Sequence, residues 1–106
     1  MQGLLVMTAC PDQDIARSIA KQLVLERLAA CVNIIPGVQS IYRWFDAIEE
    51  TREVILLIKS TADNYALLEA AILRLHPYQV PEVLAVPIAQ ASSAYVTWLS
   101  NACLTL

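Results

Sequence analysis

The chain predicts an α+β, ferredoxin-like βαββαβ sandwich with an additional C-terminal helix. Two features point there: the order of periodic segments and a long hairpin between the second and third strands. Its 106 residues fit one domain spanning 1–106, large enough to bury a core without disulfide or metal staples.

GLLVMTAC (3–10) reads as a short buried strand, apolar at both parities. Pro11-Asp12 then marks a helix start, with Asp12 able to cap free N–H groups. Ile15, Ile19 and Leu23, with Ala16, Ala20 and Val24, form one apolar face, and the helix is expected to end near Arg27-Leu28. CVNIIPGVQSIYRWF (31–45) is rich in β-branched and aromatic residues, but Pro36-Gly37 interrupts it. Proline cannot donate to a ladder, so a bulge or a change of neighbour belongs there. Beyond it Val38, Ser40, Tyr42 and Trp44 share one face. Asp46-Ala47 is the expected tight turn, and the return strand runs from about Ile48 to Ser60.

Ala62-Asp63 opens a second helix with Leu67, Leu68, Ala71, Ile72 and Leu75 as its inner stripe. It stops by His76, because Pro77 disfavours helical geometry in the residue before it. EVLAVPIA (82–89) is the last strand, and Ser92 or Ser93 caps a final helix over 94–104. A sheet with helices on one face should alternate apolar and polar residues, whereas LLVM, VILLI and VLAV do not. Hydrophobic residues make up 58% of the chain and charged ones 16%, with a mean hydropathy of +0.54. Another copy of the chain is therefore expected to cover the second face.

The remaining bulk features narrow the function. No apolar run reaches the 18 or so residues of a membrane helix, and no export signal opens the chain, so a cytoplasmic protein with no membrane partner is expected. A net charge of −3 without a basic run argues against nucleic acid. Cys10, Cys31 and Cys103 are odd in number and widely spaced, which suits reduced, inert thiols in a cytoplasmic setting. There is no Gly-rich phosphate loop, and one histidine cannot serve three scattered cysteines as a base, so no enzyme is expected.

The stretches Pro11-Asp12, RLAACVNIIPGVQSIYRW (27–44), E-x-x-x-x-IK ending at Lys59, HPYQVPE (76–82) and YVTWL (95–99) resemble the CutA divalent-cation tolerance family, trimeric relatives in fold of the PII proteins. The resemblance covers nearly the whole chain in order. It implies a homotrimer associated with divalent-cation tolerance, with metal or a small ligand bound at clefts between subunits. The alternative it leaves open is a PII-like sensor that binds a small anionic effector and signals to a protein partner. Where many relatives have Trp-x-Gly at the hairpin tip, this chain has Trp44-Phe45-Asp46. The places of the extra Cys and His tied to copper in some relatives hold Thr8, Ala71 and Leu75 here. No cofactor is obligatory on this reading, and Cu²⁺ or another divalent cation would be held weakly.

Six residues are the candidate cleft set. His76, the only histidine, is either a helix-end residue interacting with nearby carbonyls, a cleft residue with Tyr78 and Glu82, or a metal ligand. Its flanking prolines are expected to matter more to structure than the imidazole does. Lys59 is either a snorkelling strand-end lysine or a cation at the mouth of the cleft. Tyr42 and Trp44 suit interface packing better than base stacking, since no basic groove accompanies them. Asp46, Glu49, Glu50 and Glu53 read as a solvated face around the turn, able to hold hard cations weakly.

Overall fold

In the computed structural model, which describes residues 1–104, the elements run β1 (Gly3–Cys10), α1 (Gln13–Leu25), β2 (Cys31–Trp44), β3 (Ala47–Thr61), a 3₁₀ turn (Ala62–Asn64), α2 (Tyr65–Leu75), β4 (Leu84–Pro87) and α3 (Ser93–Ala102). The four strands form one antiparallel sheet in the order β2-β3-β1-β4. That order, with α1 and α2 as crossovers, is the ferredoxin-like arrangement expected from the sequence.

Period-2 geometry divides the central strands cleanly. Val6, Thr8 and Cys10 of β1 pair with Ile58, Leu56 and Val54 of β3, and all six are buried on the helix-covered face. Ala16, Ile19 and Leu23 of α1 and Leu68, Ala71 and Ile72 of α2 close the same core. Val24 and Leu67, expected on the inner stripes, are instead 42% and 47% exposed, at the edges of those faces.

The helix ends follow from local chemistry. Asp12 caps α1 by accepting from the Ile15 N–H at 2.8 Å. The helix stops at Leu25, short of the expected Arg27-Leu28, because Arg27 turns left-handed (φ 60). The Leu28 N–H then bonds the Leu23 carbonyl and the Arg27 N–H the Val24 carbonyl, a Schellman closure that usually takes glycine. Arginine earns its place there through its side chain. Its guanidinium donates to the Asn101 and Ala102 carbonyls at 2.7 and 3.2 Å, satisfying the open C-terminal end of α3. At the other end of α3, Ser92 accepts from the Tyr95 N–H and so is the cap. That helix covers Ser93–Ala102, shorter than the expected 94–104 at its far end.

The hairpin departs from expectation at its tip. Trp44 pairs with Ala47, so the two-residue turn is Phe45-Asp46, one residue earlier than Asp46-Ala47, and Phe45 takes a positive φ of 54. A positive φ at only the first central residue is the II′ pattern, where glycine is the usual occupant. Trp44 and Phe45 stack edge-on at 5.2 Å. The interruption at Pro36-Gly37 is a bulge: Ile35 pairs with Ile55 and Val38 with Glu53, leaving two residues opposite Val54. Gly37 sits at φ 74, and a Cβ there would meet nothing within 4 Å, so glycine serves the backbone angle and not a close approach. β4 is only Leu84–Pro87, half the expected 82–89, because it pairs with β1 over Leu4–Met7 alone.

The second face of the sheet is apolar and open. Leu84, Met7 and Leu57 lie in one cross-strand row that ends on Asn33, Val86 and Leu5 in the next with Lys59 beside them, and Ile35 and Ile55 in a third. Leu84, Val86 and Ile35 are about two-fifths exposed. The surface of 6500 Å² exceeds the roughly 5,900 Å² that size scaling gives an 11.7 kDa monomer. A radius of gyration of 14.3 Å likewise exceeds the roughly 13 Å of a compact chain this long.

Candidate functional site

The bulge decides which side chains meet. Before it, the odd residues of β2 face the open side with Ile55 and Leu57; the extra residue switches parity, so Val38, Ser40, Tyr42 and Trp44 continue that face. On β3 the same face carries Glu53, paired with Val38, and on β1 it carries Ala9. Without the bulge, Ile41 and Arg43 would occupy the positions of Tyr42 and Trp44.

The wall opposite comes from the connection after α2. His76 caps that helix, its N–H bonded to the Ile72 carbonyl, and adopts extended φ/ψ of −80° and 135° as Pro77 requires. Its ring is 7% exposed, with Nε2 2.7 Å from the Ala9 carbonyl and Nδ1 accepting the Tyr78 N–H at 3.1 Å. The carbonyl can only accept, so Nε2 carries the proton. The imidazole thus ties the start of the loop to the end of β1, reaching a strand carbonyl and not those of its own helix. Its ring packs 4.6 Å from that of Tyr78.

Tyr78 then donates its Oη proton to Glu53 Oε2 at 2.7 Å, joining loop and hairpin. The result is a cavity of about 490 Å³ whose lining includes Ala9, Tyr42, Trp44, Glu53, Tyr78 and Glu82. Tyr42 is fixed by a 3.0 Å hydrogen bond between its hydroxyl and Thr51 Oγ1. Of the candidate cleft set, the structure brings together Tyr42, Trp44, Tyr78 and Glu82. His76 stands behind the wall and positions it. Lys59 lies elsewhere on the sheet, donating to Asn33 Oδ1 with Cys31 Sγ 4.0 Å away. Among the described residues, no three His, Cys, Asp or Glu side chains are grouped to hold a metal ion.

Glu53 is the residue the sequence reading misplaced. It is 8% exposed, not part of a solvated acidic face; Glu49 and Glu50 are exposed. The signal was present in the E-x-x-x-x-IK stretch, where strict alternation puts Glu53 on the face of Ile55 and Leu57.

The charged side chains that line the cavity are the carboxylates of Glu53 and Glu82. Burial, then the hydrogen bond and charge of Glu53, push the Tyr78 phenol well above its ordinary range. Burial, then the charges of Glu53 and Asp12, raise the Cys10 thiol to about 11. Cys10 and Cys103 are buried and Cys31 half-buried, all as free thiols. The raised Cys10 value makes a pH prediction. The unfolded thiol ionises near 9 while the folded one keeps its proton to about 11, so its contribution to stability is complete below pH 9. It is lost as pH rises through 11, and Tyr78 acts in the same direction from about pH 10. Thermal melts between pH 8 and 11 should show a falling midpoint, with a shallower fall in Cys10→Ala; parallel slopes for the two proteins would exclude the thiol as a cause.

Comparison with known proteins bears on this geometry. Residues 4–102 match the family model described as CutA1 divalent ion tolerance protein. The Thermus thermophilus divalent-cation tolerance protein CutA is 49% identical over 94 residues, covering 89% of this chain and 91% of that one. The Xenopus laevis CutA homolog is 41% identical over 92 residues, of which this chain spans 61% of the length. Among solved structures, CutA1 from Oryza sativa superposes with a TM-score of 0.96 at 33% identity, covering 98% of this chain and 95% of that one.

Proposed function

The chain belongs to the CutA1 divalent ion tolerance family, and from that premise we propose that it acts by binding, not catalysis, as a homotrimer whose ligand site is the cavity beneath the β2–β3 hairpin. One observation carries the reading. Two carboxylates and three aromatic rings, contributed by two strands and a proline-braced loop, converge on one cavity at the margin of an uncovered apolar sheet face. Packing a second copy against that face would turn the cavity into a cleft between subunits. The three free thiols suit a reducing, cytoplasmic compartment.

A divalent cation would meet oxygen donors here: the carboxylates of Glu53 and Glu82 and the Tyr78 phenol. His76 would join them only if Nδ1 released the Tyr78 N–H, because Nε2 already holds its proton for Ala9. Cu²⁺ binding through His76 is therefore expected to be weak and to compete with the loop's own geometry. Calorimetry with Cu²⁺ and Zn²⁺ tests this on the unaltered protein and on Glu53→Gln, Glu82→Gln, His76→Ala and Lys59→Ala. Weak binding that falls in the two glutamate variants and survives Lys59→Ala is the expected result. Tight binding unaffected by either glutamate would place the site elsewhere.

A further inference from the structure

We propose that the assembly completes the cavity, with Lys59 of the partner subunit entering its mouth to pair with the carboxylates of Glu53 and Glu82. The pairing rests on the reading of the protein as a trimer built on the open sheet face, and it names the residue that a second copy adds to the site.

Lys59 is the starting point. It alternates with Ile55 and Leu57 along β3, so it stands on the apolar face, level with Leu5 of β1 and Cys31 of β2. Its ammonium donates to Asn33 Oδ1, a neutral acceptor, and lies 4.0 Å from the Cys31 sulfur. The one ion pair among the described residues joins Arg74 to Glu26, so no carboxylate among them offsets Lys59. In a single copy Lys59 is half-buried and water completes its shell. A second copy laid over Leu5, Leu57 and Val86 displaces that water, and an ammonium so enclosed requires a carboxylate.

The same face offers one at its other end. Glu53 shares the parity of Lys59 on β3, and Glu82 stands on the loop that enters β4; both line the cavity at the margin of the face. Glu82 is exposed and so within reach of a neighbour, with Glu53 behind it. Glu49 has the same parity, but it lies outside the cavity lining, near the hairpin tip. No single chain can close the contact. Glu53 and Lys59 are six residues apart on one strand, about 20 Å at roughly 3.4 Å per residue. An ion pair needs about 4 Å. Glu82 is no nearer to hand: it precedes Leu84, which is level with Met7, whereas Lys59 is level with Leu5 and two strands across the sheet.

This separation also fits a closed ring. A lysine at one end of the face and carboxylates at the other make a head-to-tail contact. Each copy gives its Lys59 to one neighbour and receives a lysine from the other, so a ring leaves no lysine and no cavity unmatched.

Carbodiimide coupling reads the contact directly, because it joins an amine to a carboxylate with no spacer. The lysines of the chain are Lys21 and Lys59, so few links can form. The treated parent should run as linked chains on a denaturing gel, and peptide mass spectrometry should place the link between Lys59 and Glu82 or Glu53. Lys59→Met should lower the yield of linked chains by about tenfold or more. Charge reversal gives an independent reading by sedimentation. Lys59→Glu and Glu82→Lys should each raise the protein concentration at half dissociation by about tenfold or more, and the double variant should return to within about threefold of the parent. Links from Lys59 to other carboxylates alone, or reversals whose effects merely add, would overturn the pairing and leave the trimer standing. The expected link in a species of two chains would keep the pairing and overturn the trimer. A parent that sediments as a monomer and yields no link would overturn both.

Discussion

Replacing His76 with alanine should destabilise the fold by about 2–4 kcal/mol and loosen the cavity wall in the same step. The ring is 7% exposed and both nitrogens are used, one on the Ala9 carbonyl and one on the Tyr78 N–H. Truncation leaves a buried acceptor and a donor without partners, at about 1–3 kcal/mol for such a group, together with the void of the missing ring. For a domain of this length each kcal/mol shifts the melting midpoint by roughly 4–8 °C, so a fall on the order of 10 °C or more is expected. Pro81→Ala, which acts mainly through the entropy of the unfolded chain, should cost only about 0.4–1 kcal/mol. This reverses the ordering expected from sequence, where the flanking prolines outranked the histidine. Melts of the two single variants decide it. A His76→Ala midpoint within a degree or two of the parent would show that the Ala9–His76–Tyr78 chain of hydrogen bonds is not holding the wall.

The fold was legible because its signals are local and redundant. Asp12 and Ser92 cap where a short polar side chain before an apolar run should cap, and Pro77 ends α2 where it must. Pro36-Gly37 announced a bulge. The site was less legible because its members converge through that bulge. From sequence, Tyr42 and Trp44 share a parity, but only the pairing of Val38 with Glu53 tells which carboxylate faces them. Glu53 was hidden by its neighbours: near Glu49 and Glu50 it reads as surface, and although alternation puts it on the face of Ile55 and Leu57, only register shows what covers it. His76 was ambiguous for another reason. A lone imidazole after a helix has many possible partners, and its partner here, the Ala9 carbonyl, lies 67 residues away. Arg27 shows the same limit in reverse. A left-handed arginine defies propensity, and the carbonyls that justify it belong to the last helix.

The largest effect is expected from the uncovered face of the sheet. Sedimentation should give a species near 35 kDa, three times the 11.7 kDa chain, and the Leu57→Glu variant should not form it. Leu57 stands at the centre of that face, paired with Met7 on one side and Asn33 on the other, with Leu84 beyond Met7. None of these side chains packs into the core beneath the helices, so a glutamate at 57 leaves that core intact. In an assembly built on this face, by contrast, it buries one added charge per copy beside Met7 and Leu84, with only Asn33 and Lys59 as polar neighbours on that face. The cost of several kcal/mol recurs in every subunit. Association free energy of ordinary size does not survive that penalty. The parent should also melt at a midpoint that rises with protein concentration, because dissociation and unfolding are linked by mass action, and Leu57→Glu should lose that dependence. A stable, folded 11.7 kDa parent at micromolar concentration would sink the assembly, and with it the cleft between subunits. The cavity under the hairpin would remain, since every side chain that lines it comes from one chain.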